Sequence, residues 1–168
     1  MGFFKWLKEV FMGEEQESCD VVPGLTKRIK VKVVMDKDGS CWNYALEADD
    51  DPSDPYVKAG NKIDMGSGPG SGADIEFRLQ GKAGHQLDFN IGDPIWIKKD
   101  DCPTSGTGLP TGFSIVGTTT ANKLVIRDQN DNSQEEFYHY RLNFIDRSTT
   151  PPQPVSWDPI IRNGGGGP

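Results

Sequence analysis

Three cysteines and two histidines are the whole stock of thiol and imidazole chemistry in this 168-residue chain. Cys19, Cys41 and Cys102 form no CxxC pair and share no ligand spacing with His85 or His139, so neither a disulfide framework nor a zinc site is expected. A nucleophilic cysteine needs a base within hydrogen-bond reach, and Cys102 with His139 is the pairing to consider. A loop thiol without chemistry is the simpler reading. Blue-copper sites draw a Cys, a His and an axial ligand from one closing loop, but Cys102 is followed by Pro-Thr-Ser-Gly, with no His or Met. The string from Gly112 through Ser114 to Gly117 is one residue too long for a nucleophile elbow. The glycine run 66–72 precedes Ala73-Asp74 and an extended segment, whereas a phosphate loop must open a helix.

Oxygen-ligand chemistry has better candidates. Asp49, Asp50, Asp51 and Asp54 cluster in sequence, and Asp128, Asn130 and Asn132 alternate as in the start of a calcium loop. The calcium pattern does not complete, because Ser133 stands where the turn requires Gly and His139 where the bidentate Glu belongs. The reading without metal is a solvated acidic loop and an Asx-rich hairpin turn. No metal or other cofactor is expected, with Asp49, Asp51 and Asp54 the alternative should a cation bind. That alternative is a ligand- or calcium-binding module, or an enzyme, with its site in loops 49–55, 66–72 and 100–112, where Asp101 would join the acidic group.

The elements that must position these residues have a period of two. Ile29, Val31, Val33 and Met35 alternate with polar neighbours up to the DKDG turn at 36–39, and Trp42, Tyr44 and Leu46 repeat the pattern, which predicts a hairpin. Further strands are expected at 75–79, 87–91, 95–98, 113–116, 123–127 and 137–145, giving about eight. In the last, Tyr138, Tyr140, Leu142 and Phe144 face one way, and His139, Arg141 and Asn143 the other. The expected fold is all-β, an antiparallel β-sandwich of immunoglobulin-like or jelly-roll-like type over residues 26–163, with a Gly-rich end at 164–168. Asp-Pro recurs at 51–52, 54–55, 93–94 and 158–159; the last two copies read as starts of edge strands.

Residues 2–12 are the one convincing helix. Phe3, Phe4, Leu7, Val10 and Phe11 line one face with Trp6 at its border, Gly13 closes it, and a polar linker, 14–25, follows. A lone helix of this length is marginal in water and must pack its aromatic face against something. Its own sandwich, a groove on a partner protein and a membrane surface compete; the linker favours docking away from the body. Phe3, Phe4, Trp6, Leu7, Val10 and Phe11 are the candidate partner-binding residues. Trp157 and Ile160, in the tail after the proline-rich connector, are the second contact and pin that tail along a sheet edge.

The net charge of −7 excludes a basic nucleic-acid footprint, so no nucleic acid is expected as partner. No apolar run reaches the ~20 residues of a membrane span, and the N-terminus lacks a secretory signal and a myristoylation site. Few, scattered cysteines suit a reducing compartment. The C-terminal segment, KLVIRDQNDNSQEEFYHYRLNFID followed by VSWDPIIRNGG, resembles the end of small bacterial β-sandwich proteins that close with an aromatic strand and an Asp-Pro-Ile-Ile-x-Asn tail. The resemblance spans roughly residues 75–163; it implies a bacterial β-sandwich and carries no activity. The function expected is that of a non-catalytic accessory or assembly subunit. It would be cytoplasmic, or peripheral at the cytoplasmic face of a membrane, and docked on a larger protein complex by its N-terminal helix.

Overall fold

The computed structural model describes residues 27–38, 41–49, 55–65, 72–81, 86–101, 108–130 and 135–163. The helix expected at 2–12, the linker after it and the Gly-rich end lie outside the described residues. Among the described residues the chain is all-β, with twelve strands. In chain order they are β1 (Lys27–Asp38), β2 (Cys41–Ala48), β3 (Val57–Lys58), β4 (Lys62–Asp64), β5 (Ala73–Gly81) and β6 (Leu87–Phe89). The rest are β7 (Ile95–Lys99), β8 (Phe113–Ile115), β9 (Lys123–Asp128), β10 (Glu136–Asp146), β11 (Gln153–Trp157) and β12 (Ile160–Asn163).

One sheet, here sheet A, runs β2-β1-β5-β9-β8. The other, sheet B, is organised around β10. On one side of β10, β12 pairs with its first half and β11 with its second; on the other, β7 and β6 do the same. β12 continues to β4 and β4 to β3. The eleven-residue β10 thus spans two shorter strands on each flank.

The period-two residues behave as expected. Ile29, Val31, Val33 and Met35 of β1 and Ile75 and Phe77 of β5 are sealed from solvent, and so are Tyr140, Leu142 and Phe144 of β10. They form one core between the sheets, where Phe77 meets Tyr140 at 5.6 Å and Phe113 meets Tyr138 edge-on at 4.8 Å. The expected β1–β2 hairpin forms, with Met35 opposite Tyr44.

Three expectations need correction. The sandwich is not purely antiparallel: β1 and β5 run parallel from Lys27↔Ala73 to Met35↔Gly81, and β12 runs parallel to β4. The reason is topological. After the hairpin the chain crosses to sheet B for β3 and β4, then re-enters sheet A at the end where β1 began, a long crossover of the kind parallel pairing requires. The strand count also exceeds eight, because β3, β4, β11 and β12 are too short or too rich in proline to show a period. Ile160 does not start an edge strand, since β12 lies between β10 and β4; Trp157, on β11, does lie at an edge.

The edges are blunted in different ways. β3 has two residues and β8 three, while β11 carries Pro154. On β2 the Leu46 N–H donates to Asn61 Oδ1 at 2.9 Å. Asn61 reaches it from the β3–β4 turn, where Gly60 and Asn61 have φ of 79° and 59°, a conformation Gly and Asn tolerate best.

Candidate functional site

The inward-facing rows of both sheets begin and end in polar residues, so chemistry could sit at either end of the core. At the end where β1 and β10 finish, Lys37 Nζ reaches Asp146 Oδ2 at 3.0 Å, across from one sheet to the other. Ser148 donates to the other carboxylate oxygen through its backbone N–H and its hydroxyl. Burial pushes the Asp146 carboxyl up, but the bonds from Ser148 and Lys37 outweigh it and hold the group below its ordinary range. Tyr44 stacks between Trp157, at 5.1 Å, and Phe144, at 6.0 Å. Burial and the nearby Asp146 charge drive its hydroxyl pKa upward.

At the opposite end Asp128, Asn130 and Asn163 are all buried, each about 1% exposed. Asp128 Oδ1 accepts the Asn130 backbone N–H and the Asn163 side-chain amide, both at 2.9 Å. Asp128 ends β9 in sheet A and Asn163 ends β12 in sheet B, so this contact also ties the sheets together. Glu136, directly opposite Asn163 on β10, accepts from Lys99 and from the Tyr138 hydroxyl, each at 2.6 Å. Those bonds keep its carboxyl below the ordinary range.

The outward faces differ in chemistry. Sheet A presents a ladder of ion pairs. Arg127 meets Asp74 at 2.8 Å, Arg78 meets Glu76 at 2.5 Å, Arg28 approaches Glu76 at 3.8 Å, and Lys32 approaches Asp49 at 3.5 Å. Sheet B interleaves its charges with rings. Arg141 grips Asp158 with two hydrogen bonds and lies over the Trp96 ring, whose Nε1 donates to Asp93. Lys62 sits over Phe137, which is 38% exposed. The cross-strand register places Lys98, His139, Ile160 and Lys62 in one row of this face, with Trp96 and Arg141 in the row beside it.

The residues singled out in the sequence fare unequally. His139 faces outward, as expected, between Lys98 and Ile160. Ser114 is an exposed residue of β8. Asp49 is held by Lys32 and by Arg78, the latter at 3.7 Å, and Asp101 by Lys98 at 2.5 Å. Both lie toward the end of the sandwich where β1 begins, but each is already engaged by a cation. Asp50, Asp51, Asp54, Cys19, Cys102, His85 and Asn132 lie outside the described residues, as do Phe3, Phe4, Trp6, Leu7, Val10 and Phe11. Trp157 is half-buried against Tyr44, and Ile160 is half-buried between β10 and β4. Among the described residues no three His, Cys, Asp or Glu side chains converge.

Sequence reasoning missed the Trp96–Arg141–Asp158 stack and the Asp128–Asn163 contact. The second is half legible in the sequence, where Asp128 and Asn130 stand out; Asn163 does not, because only strand pairing brings it near.

No family model matches the chain, and no curated protein does. Among solved structures, an inclusion body protein (PixA) from Burkholderia cenocepacia J2315 is similar over 83% of this chain and 97% of its own, at 9% identity and a TM-score of 0.35.

Proposed function

We propose that this protein is a non-catalytic assembly subunit that works by binding a protein partner. The observation that supports the reading is the asymmetry between the two outward faces. Sheet A pairs its charges among themselves, with Glu76 almost sealed between Arg28 and Arg78, whereas sheet B, beside its own ion pairs, sets Trp96, Phe137 and Ile160 among Arg141, Lys62 and His139. An exposed ring such as Phe137, opposite Arg162, and a half-buried one such as Trp96, under Arg141, match the composition of interface centres, where truncating one anchor costs about 2 kcal/mol or more of binding.

In this reading residues 2–12 form an amphipathic helix appended to the sandwich. Its Phe3, Phe4, Trp6, Leu7, Val10 and Phe11 add a second apolar anchor for the same complex. The complex is cytoplasmic, free or attached to the cytoplasmic face of a membrane.

The test is co-purification from the native host by full-length protein, a chain beginning at Leu25 and the Phe137→Ala variant, each checked for folding by circular dichroism. The full-length protein should retain a defined partner, the shortened chain should lose it, and Phe137→Ala should weaken it at least tenfold. Equal recovery by all three would overturn the proposal.

A further inference from the structure

The cluster at the β9 and β12 ends has a feature that its own hydrogen bonds do not account for. Asn163 is 1% exposed, its Nδ2 donates to Asp128, and its Oδ1 is buried without any hydrogen-bond partner. An amide oxygen shut away from water without a donor is destabilising, and native structures rarely leave one so. Because Oδ1 shares an amide carbon with the nitrogen that touches Asp128, it lies at the cluster itself. Asn130 adds a second buried amide, and Asp128 a carboxylate whose Oδ2 is buried with it. One anionic and two neutral oxygen-bearing side chains, with no nitrogen or sulfur ligand, suit a hard cation.

We propose that Asp128, Asn130 and Asn163 form a calcium-binding site that closes the end of the sandwich by joining β9 to β12. The cation satisfies the Asn163 oxygen, meets the Asp128 carboxylate and draws further ligands from backbone carbonyls and water. Glu136, directly opposite Asn163, keeps its own oxygens on Lys99 and Tyr138 and stays outside the ligand set. With one carboxylate among the three side chains, the affinity falls at the weak end of protein calcium sites, on the order of 10⁻⁴–10⁻³ M. Magnesium, which demands a tight octahedron and sheds water reluctantly, binds less well. The inference does not depend on the partner-binding reading.

The experiment is a calcium chloride titration of the chelator-treated full-length protein, followed by its thermal unfolding midpoint. A saturable rise of about 4 °C at ten times the dissociation constant is expected for a chain of this size. Asn163→Ala should abolish the rise, which separates this site from the acidic residues at 49–54. Should that variant fail to fold, Asn163→Asp keeps the shape and adds a charge, and should tighten calcium binding about tenfold. No saturable shift up to 10 mM calcium, a shift that survives Asn163→Ala, or an Asn163→Asp variant that binds no more tightly would each overturn the proposal.

Discussion

Lys37 on β1 and Asp146 on β10 form an ion pair that bridges the two sheets where the apolar core ends. The Asp146 side chain is 3% exposed and that of Lys37 22%, so the carboxylate is the more deeply committed partner. Such a pair adds little over a well-packed apolar substitute, but breaking one side leaves a charge stranded. Here the stranded charge would be the carboxylate.

Lys37→Met should therefore destabilise the protein by about 3 kcal/mol at pH 7, the low end of the range for a broken buried pair because Lys37 reaches solvent. The effect must depend on pH. Asp146 is held below its ordinary range in the native protein. It therefore contributes stability that is present above the unfolded carboxyl value of about 4 and is lost as pH falls through the folded value. In the variant the Lys37 share of that contribution is gone while the Ser148 bonds remain, so the difference between the two proteins should shrink between pH 7 and pH 3. Urea unfolding at both pH values measures it, and a constant difference would show that Lys37 acts through packing alone.

Tyr138 and Tyr140 face the same core two residues apart yet should respond oppositely to loss of their hydroxyls. The Tyr140 hydroxyl is buried with no hydrogen-bond partner, and burial pushes its pKa well upward. Tyr140→Phe should be neutral or stabilising, by up to about 1 kcal/mol. The Tyr138 hydroxyl donates to Glu136 at 2.6 Å, and Tyr138→Phe should lose about 1.5 kcal/mol. Midpoints of chemical unfolding rank the two.

The tail is an internal part of the fold. Ile161 is sealed from solvent on β12, opposite Tyr138 and Ile63. Ile161→Ala should cost about 3 kcal/mol. A chain ending at Trp157 loses β12 and with it the link from β10 to β4, so it should fail to give a cooperative thermal transition. A chain ending at Asn163 should keep one.

Phe77 sits on β5, the strand that joins the β1–β2 hairpin to β9, and packs against Tyr140 of the opposite sheet. Phe77→Ala should cost about 4 kcal/mol and unfold both sheets in one transition rather than sheet A alone. Loss of near- and far-ultraviolet circular dichroism at the same denaturant concentration would verify this.

Alternation of side chains determined eight of the twelve strands and which way they face. The runs 29–35, 42–46 and 138–144 were legible because a pleated strand sends successive residues to opposite sides, and burying one side selects apolar residues at every second position. That local constraint says nothing of neighbours. It could not show that β1 lies parallel to β5, that β12 enters the sheet interior, or that Glu76 and Asn163 are buried. Asp128 and Asn130 stand out in the sequence, but a calcium-loop spacing counted forward from Asp128 ends on His139 where the bidentate Glu belongs. Strand pairing alone brings Asn163 to Asp128, from a strand that β10 holds with Asn163 across from Glu136. Pairing between distant segments follows from how two twisted sheets close over one shared core, a property of the whole chain that no local window contains.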